Sequence, residues 1–226
     1  MFCQRSIDFL YFNHKNNSKQ WYAEHKDDYK KYLVKPFEEL VCALTPAMLK
    51  IDGKFITEPK VNYTISRLYR DLRFSADKTL YRDHMWLIFA RDKKLYNGVP
   101  AFYFELTPYN ASYGCGYYSA DNSSMQSFRD LIIKDSPIFK DAFECYKSQT
   151  TFKLEGECYK TSKYPQYPSD IQDWLNRRTV CFISKINDID FLFSPDLADA
   201  LAKEFTSIAP LYRMMIEAEE RKTDAK

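Results

Sequence analysis

Met85-Trp-Leu-Ile-Phe-Ala90, Ala101-Phe-Tyr-Phe-Glu-Leu106 and Ser112-Tyr-Gly-Cys-Gly-Tyr-Tyr118 follow one another closely in the chain. Each is rich in the aromatic and aliphatic residues that suit a pleated, half-buried surface. The Lys94–Pro100 connection contains Asn97-Gly98, a pair suited to tight turns, so the first two runs read as an antiparallel hairpin. The third reads as a further strand. Gly114 and Gly116 lie two residues apart on one face of it, where missing side chains admit a backbone or a ligand.

Outward from these strands the apolar spacing changes to three and four residues. Ile7, Phe9, Leu10 and Phe12 make a short helical segment, and Ser18 is placed to cap the next. Trp21, Tyr22, Tyr29, Tyr32, Leu33, Phe37, Leu40, Val41 and Leu44 then predict one long helix, kinked or divided at Pro36. Asp52-Gly53 marks a turn. Beyond the strands, helices are expected over 123–134 and 170–176, followed by a strand over 179–186. A last helix should be capped by Ser194 with Pro195 at its first position, and it should break or restart at Pro210. Residues 1–226 therefore read as one α+β domain, a mainly antiparallel sheet flanked by helices.

Between the long helix and the first strand lies Arg67-Leu-Tyr-Arg70-Asp71-Leu-Arg73-Phe74-Ser-Ala-Asp77-Lys78-Thr-Leu-Tyr81. As a helix it would place Ile65, Leu68, Tyr69 and Leu72 on one side and Arg67, Arg70, Asp71 and Arg73 on the other, the preferred reading. As a strand it would set Arg67, Tyr69, Asp71 and Arg73 against Leu68, Arg70, Leu72 and Phe74. Residues 75–77 read as a turn. Guanidinium forks suit carboxylate and phosphate, so Arg67, Arg70, Arg73, Lys78 and Tyr81 are the candidate anion-binding residues, with Asp71 and Asp77 orienting them. His84 and Arg129 are accessory candidates, and Glu24 and His25 are further polar groups if the early helix faces the motif. No catalytic residue is assigned. The competing reading is an ion-pair network in which the aspartates neutralise the arginines.

The pattern Arg-x-x-Arg-Asp-x-Arg-Phe-x-x-Asp-Lys-x-x-Tyr resembles the defining motif of domain-of-unknown-function family 2461. The resemblance extends over nearly the whole chain, through Asn16–Tyr22, Lys35-Pro36-Phe37, Gly114-Cys115-Gly116-Tyr117 and Phe128-Arg129-Asp130. It implies site or scaffold roles for Arg67, Arg70, Asp71, Arg73, Phe74, Asp77, Lys78 and Tyr81, and it brings no activity. Leu80 departs from the proline that many members carry before the tyrosine, and Lys163-Tyr164 lacks the glycine that relatives place between lysine and aromatic.

Composition bounds the function. With 226 residues, 45% apolar and 28% charged, the chain has material for a full core. A net charge of +2 provides no broad field for nucleic acid or anionic membrane, so a nucleic-acid partner is disfavoured and any anion preference is local. Six scattered cysteines without a Cys-x-x-Cys pair read as reduced thiols in the cytoplasm. There is no apolar run long enough to span a bilayer, and none of the histidine spacings of a metal site, a Walker loop or a dinucleotide fingerprint. No cofactor is expected. The sequence thus suggests a small anionic, possibly phosphorylated, ligand in an arginine-rich pocket. The alternative is an interaction module whose basic motif docks an acidic partner.

Overall fold

The computed structural model describes residues 1–73, 77–92 and 98–224. Phe74 of the motif, most of the turn expected over 75–77 and Asn97 of the expected hairpin lie outside those residues. Helix α1 (Gln4–Asn16) opens with Cys3 and Ser6 in a reciprocal cap and ends at Asn17 in the left-handed conformation. Ser18 caps α2 (Lys19–Glu24) by accepting the Trp21 N–H, as its place before the apolar pattern predicts. Instead of one long helix, the chain then makes α3 (Lys26–Tyr29), a π-helical turn (Lys30–Val34) and α4 (Lys35–Ile51).

Proline explains where the long helix changes. Pro36 has no N–H to give the Tyr32 carbonyl four residues back, and its ring crowds that oxygen. The wide π turn makes room, and the Ser6 hydroxyl donates to the Tyr32 oxygen instead, at 2.5 Å. Helix α4 then buries Phe37, Leu40, Val41, Leu44 and Met48. Phe37 meets Phe2 edge-on with ring centroids 5.0 Å apart, and Phe2 stacks on Phe104.

Strands β1 (Met85–Ala90), β2 (Pro100–Leu106), β3 (Ala111–Tyr117), β4 (Lys153–Glu155) and β5 (Cys181–Ile186) form an antiparallel sheet of α+β type in the order β1-β2-β3-β5-β4. In the β4–β5 pair Lys153 faces Ile183 and Glu155 faces Cys181. The glycines of β3 admit a backbone: a Cβ on Gly114 would stand 1.9 Å from the Phe182 carbonyl oxygen, and one on Gly116 would stand 2.5 Å from the Cys181 Cα. That pair is a packing requirement of the sheet.

The remaining helices are α5 (Asn122–Ile133), α6 (Pro137–Lys147), α7 (Ser169–Leu175), α8 (Ile189–Leu192), α9 (Leu197–Ser207) and α10 (Ala209–Asp224). Helix α9 begins later than expected, because Ser194 closes a turn on the Asp196 N–H and helical hydrogen bonding starts beyond it. The chain packs as two compact units. One comprises Met1–Phe89, Tyr103–Tyr113 and Lys185–Lys203; the other comprises Ala90–Phe102, Gly114–Ser184 and Glu204–Lys226. In the second unit the buried Trp174 indole touches the rings of Phe128, Phe139, Phe143, Tyr146 and Phe182.

Candidate anion-binding ribbon

The charged motif is extended, which corrects the preferred helical reading. Ser66 N–H donates to the Trp86 carbonyl, Ile88 N–H to Thr64, Arg82 N–H to Leu68 and Arg70 N–H to Leu80, at 2.8 to 3.0 Å. Ile65 pairs antiparallel with Leu87, and Tyr69 with Tyr81. The backbone groups of this segment are therefore satisfied across two strands of a narrow ribbon. A helix would need local partners for them. The three- and four-residue spacing of Ile65, Leu68 and Leu72 mimics helical periodicity, but long-range pairing fixes the conformation.

Extension separates the arginines. Arg73 grips Asp71 with a two-point fork, Nε to Oδ1 at 3.0 Å and Nη2 to Oδ2 at 2.6 Å. These bonds hold the Asp71 carboxyl well below its ordinary range, chiefly through the Arg73 side chain and secondarily through its N–H. Arg70 reaches Asp77 at 2.9 Å. The Asp77 carboxyl is lowered as well, first by the Thr79 N–H at 2.9 Å and, more weakly, by Arg70. Both aspartates thus orient arginines. Lys78 gives its ammonium to the Leu72 carbonyl at 3.1 Å.

Arg67 differs from the rest. Its side chain is exposed, and its guanidinium makes no hydrogen bond or close ion pair among the described residues, feeling Asp71 only at longer range. Its carbonyl, by contrast, is held by Arg82, whose Nη1 donates both to Arg67 O at 2.8 Å and to Tyr69 O at 3.0 Å. The Arg82 guanidinium lies over the Trp86 ring with 4.8 Å to the centroid. From Arg67 to Asp83 the ribbon carries five Lys or Arg side chains against three carboxylates.

Tyr81 is turned inward. It is fully buried and donates its hydroxyl hydrogen to the Tyr69 oxygen at 3.3 Å, so it joins an aromatic cluster and not the arginines. Burial and then the Tyr69 contact raise its phenol above the ordinary value. Tyr22 stacks on Tyr81 at 5.1 Å and meets Tyr69 edge-on at 5.3 Å, and Tyr29 lies 5.6 Å from Tyr22. Burial, with Tyr69 adding to it, pushes the Tyr22 phenol up to about 12. Tyr69 itself remains 40% exposed.

Helix α1 supports the ribbon through residues the sequence reading did not single out. Asn17 Oδ1 accepts the Leu80 N–H at 2.6 Å, and a His14 ring nitrogen lies 3.1 Å from the Tyr81 carbonyl. The left-handed Asn17 at the end of an apolar helix was the available signal.

Of the accessory candidates, His84 hydrogen-bonds Asp83 at 2.7 Å and stacks near Trp86. Burial opposes the ionised Asp83, yet the His84 contact keeps its carboxyl below the ordinary range. Arg129 lies in the other compact unit, where it is buried with Nε on the Leu175 carbonyl at 2.9 Å and Nη2 on that of Arg177 at 2.6 Å. His25 stacks on Trp21, with ring centroids 4.0 Å apart, and Glu24 accepts from Gln20.

The family model described as "Conserved hypothetical protein (DUF2461)" matches residues 5–214. The chain belongs to the DUF2461 family. That span takes in the whole DUF2461 ribbon, all of helix α1 but its first residue and the glycine strand β3. No curated protein matches the sequence. Among the described residues no helix is long and apolar enough to cross a membrane.

Proposed function

We propose that the ribbon binds a small anionic ligand, with Arg67 as its principal contact. The observation that carries the reading is the contrast between Arg67 and its neighbours. Arg70 and Arg73 face Asp77 and Asp71, whereas the exposed Arg67 guanidinium has no close acid on a ribbon that carries excess positive charge. A bound phosphate or carboxylate would accept the fork of Arg67 and relieve that excess. Arg70, Arg73 and Lys78 contribute field, and Asp71 and Asp77 keep them in place.

A partner-docking reading draws on a different observation, the exposure of Tyr63 and Tyr69 on either side of Arg67 in the sequence, where an acidic peptide would find aromatic contacts. A cytoplasmic setting suits the six cysteines, each of them a free thiol.

The test is titration with inorganic phosphate and sulfate, followed by thermal shift. At one hundred times the dissociation constant a ligand adds about 2.7 kcal/mol of stability, about 5–10 °C in a protein of this size. Arg67→Gln should abolish the shift. An equal shift in that variant, or none in the parent protein, refutes the reading.

A further inference from the structure

Asn13 lies fully buried on α1, and neither the nitrogen nor the oxygen of its amide has a hydrogen-bond partner among the described residues. Buried amides in native proteins are almost always matched by protein, water or ligand, because stripping them of partners is costly. The location of this one is informative. Phe9, Asn13 and Asn17 lie four residues apart and so share a face of the helix. Phe9 packs on Trp21 and Tyr29, with ring centroids at 5.5 and 5.9 Å, and Asn17 holds the backbone of Leu80. Asn13 lies between them on that face, and the Tyr22 ring bridges Tyr29 to Tyr81, forming with Tyr69 an aromatic enclosure. A buried amide without partners therefore sits on the helix face whose Phe9 packs on this enclosure.

We infer that this enclosure is the closed form of a pocket for a planar ring bearing an amide-like edge and a phosphate, the chemistry of a mononucleotide, with Asn13 reading the ring edge. A carboxamide presents a donor and an acceptor side by side, the complement of a nucleobase edge. Tyr22 and Tyr69 supply faces on which such a ring stacks. Tyr69 is the movable wall: it is partly exposed, and the 3.3 Å contact with Tyr81 is its one hydroxyl bond within the enclosure. Two residues from it along the extended strand, Arg67 takes the phosphate. The charged half of this inference rests on the anion-site reading above; the ring half rests on Asn13 and the tyrosines.

The experiment is calorimetric titration of the full chain with the four common ribonucleoside monophosphates, the matching nucleosides, ribose 5-phosphate and inorganic phosphate. At least one monophosphate should bind about tenfold or more tightly than ribose 5-phosphate, the effect of about 1.4 kcal/mol from one matched polar edge. Asn13→Leu, close in volume, should erase that preference and leave the phosphate affinity intact. The variant should melt no lower than the parent, because it removes an unmatched amide; Asn13→Ala gives the same binding readout if leucine does not fit. Equal binding of ribose 5-phosphate and every nucleotide overturns the ring half and leaves the anion reading standing. Nucleosides binding as tightly as nucleotides, unaffected by Arg67→Gln, overturn the phosphate half. Unchanged nucleotide preference in both Asn13 variants means that the amide holds only a structural water, and overturns its role; silence across the whole panel overturns both readings together.

Discussion

Replacing Ser6 with alanine tests how the chain accommodates Pro36. The Ser6 hydroxyl serves two backbone groups: it donates to the Tyr32 carbonyl at 2.5 Å and accepts the Cys3 N–H at 3.1 Å. Ser6 is fully buried, so water does not replace it at once. Leaving a partly buried carbonyl without its donor costs about 1–3 kcal/mol, and removing a reciprocal helix cap costs about 1 kcal/mol. Together Ser6→Ala should lose about 2–4 kcal/mol, or about 4–16 °C in melting temperature for a chain of this length. The decisive assay is a double-mutant cycle with Pro36→Ala in urea. Alanine restores an N–H directed at the Tyr32 oxygen, so the Ser6→Ala loss should shrink by about 1 kcal/mol in the Pro36→Ala background. Strict additivity of the two substitutions, or a Ser6→Ala loss under about 0.5 kcal/mol, would refute the claim that the serine substitutes for the missing proline donor.

Two further outcomes are expected. Gly114→Ala should cost more than about 3 kcal/mol, because its Cβ would stand 1.9 Å from the Phe182 carbonyl oxygen and backbone cannot yield as a side chain can; near-parental melting of that variant would contradict the packing of β3 on β5. Acid stability should depend on Asp121. Although burial alone would raise its carboxyl, the Ser124 N–H, Ser123 and Lys222 hold it well below the ordinary 3.8. A depressed carboxylate contributes its full stability above pH of about 4. That contribution is lost as pH falls below it, so Asp121→Asn should be less stable than the parent at neutral pH and flatter in melting temperature on the acid side. Parallel acid limbs for the two proteins would count against this assignment.

The sheet was legible because its strands carry their own chemistry. Met85–Ala90 and Pro100–Leu106 are mostly aromatic and aliphatic, and the glycines of β3 left room for a backbone or a ligand, a place that β5 takes. Helix α6 was not anticipated, although Ser136 followed by Pro137 is a capping signal of the kind noticed at Ser194-Pro195. At the later pair the signal misled by placing the start of α9 too early, since the same hydroxyl also closes an ordinary turn. The ribbon was misread for a physical reason. Its apolar spacing fits a helix, and only partners far along the chain, Leu80, Trp86 and Leu87, make it extended.

Within the site, residue types were legible and pairings were not. Guanidinium groups beside aspartates were plain in the sequence, but which acid meets which arginine depends on the register of Tyr69 opposite Tyr81. Tyr81, expected beside the cations, instead faces Tyr69 and Tyr22. Asn13 gave no signal, because an asparagine on an apolar helix face looks like an interruption until its surroundings are known.

Arg82 spans two carbonyls on alternate residues of the opposite strand while its plane rests on an indole. Lysine would offer one point of attachment where this side chain offers a bracket, so the position should tolerate little drift among relatives that keep the neighbouring Trp86. The main chain at Arg67 is thereby held by a side chain from the opposite strand, so this stretch of the ribbon keeps little motional freedom of its own.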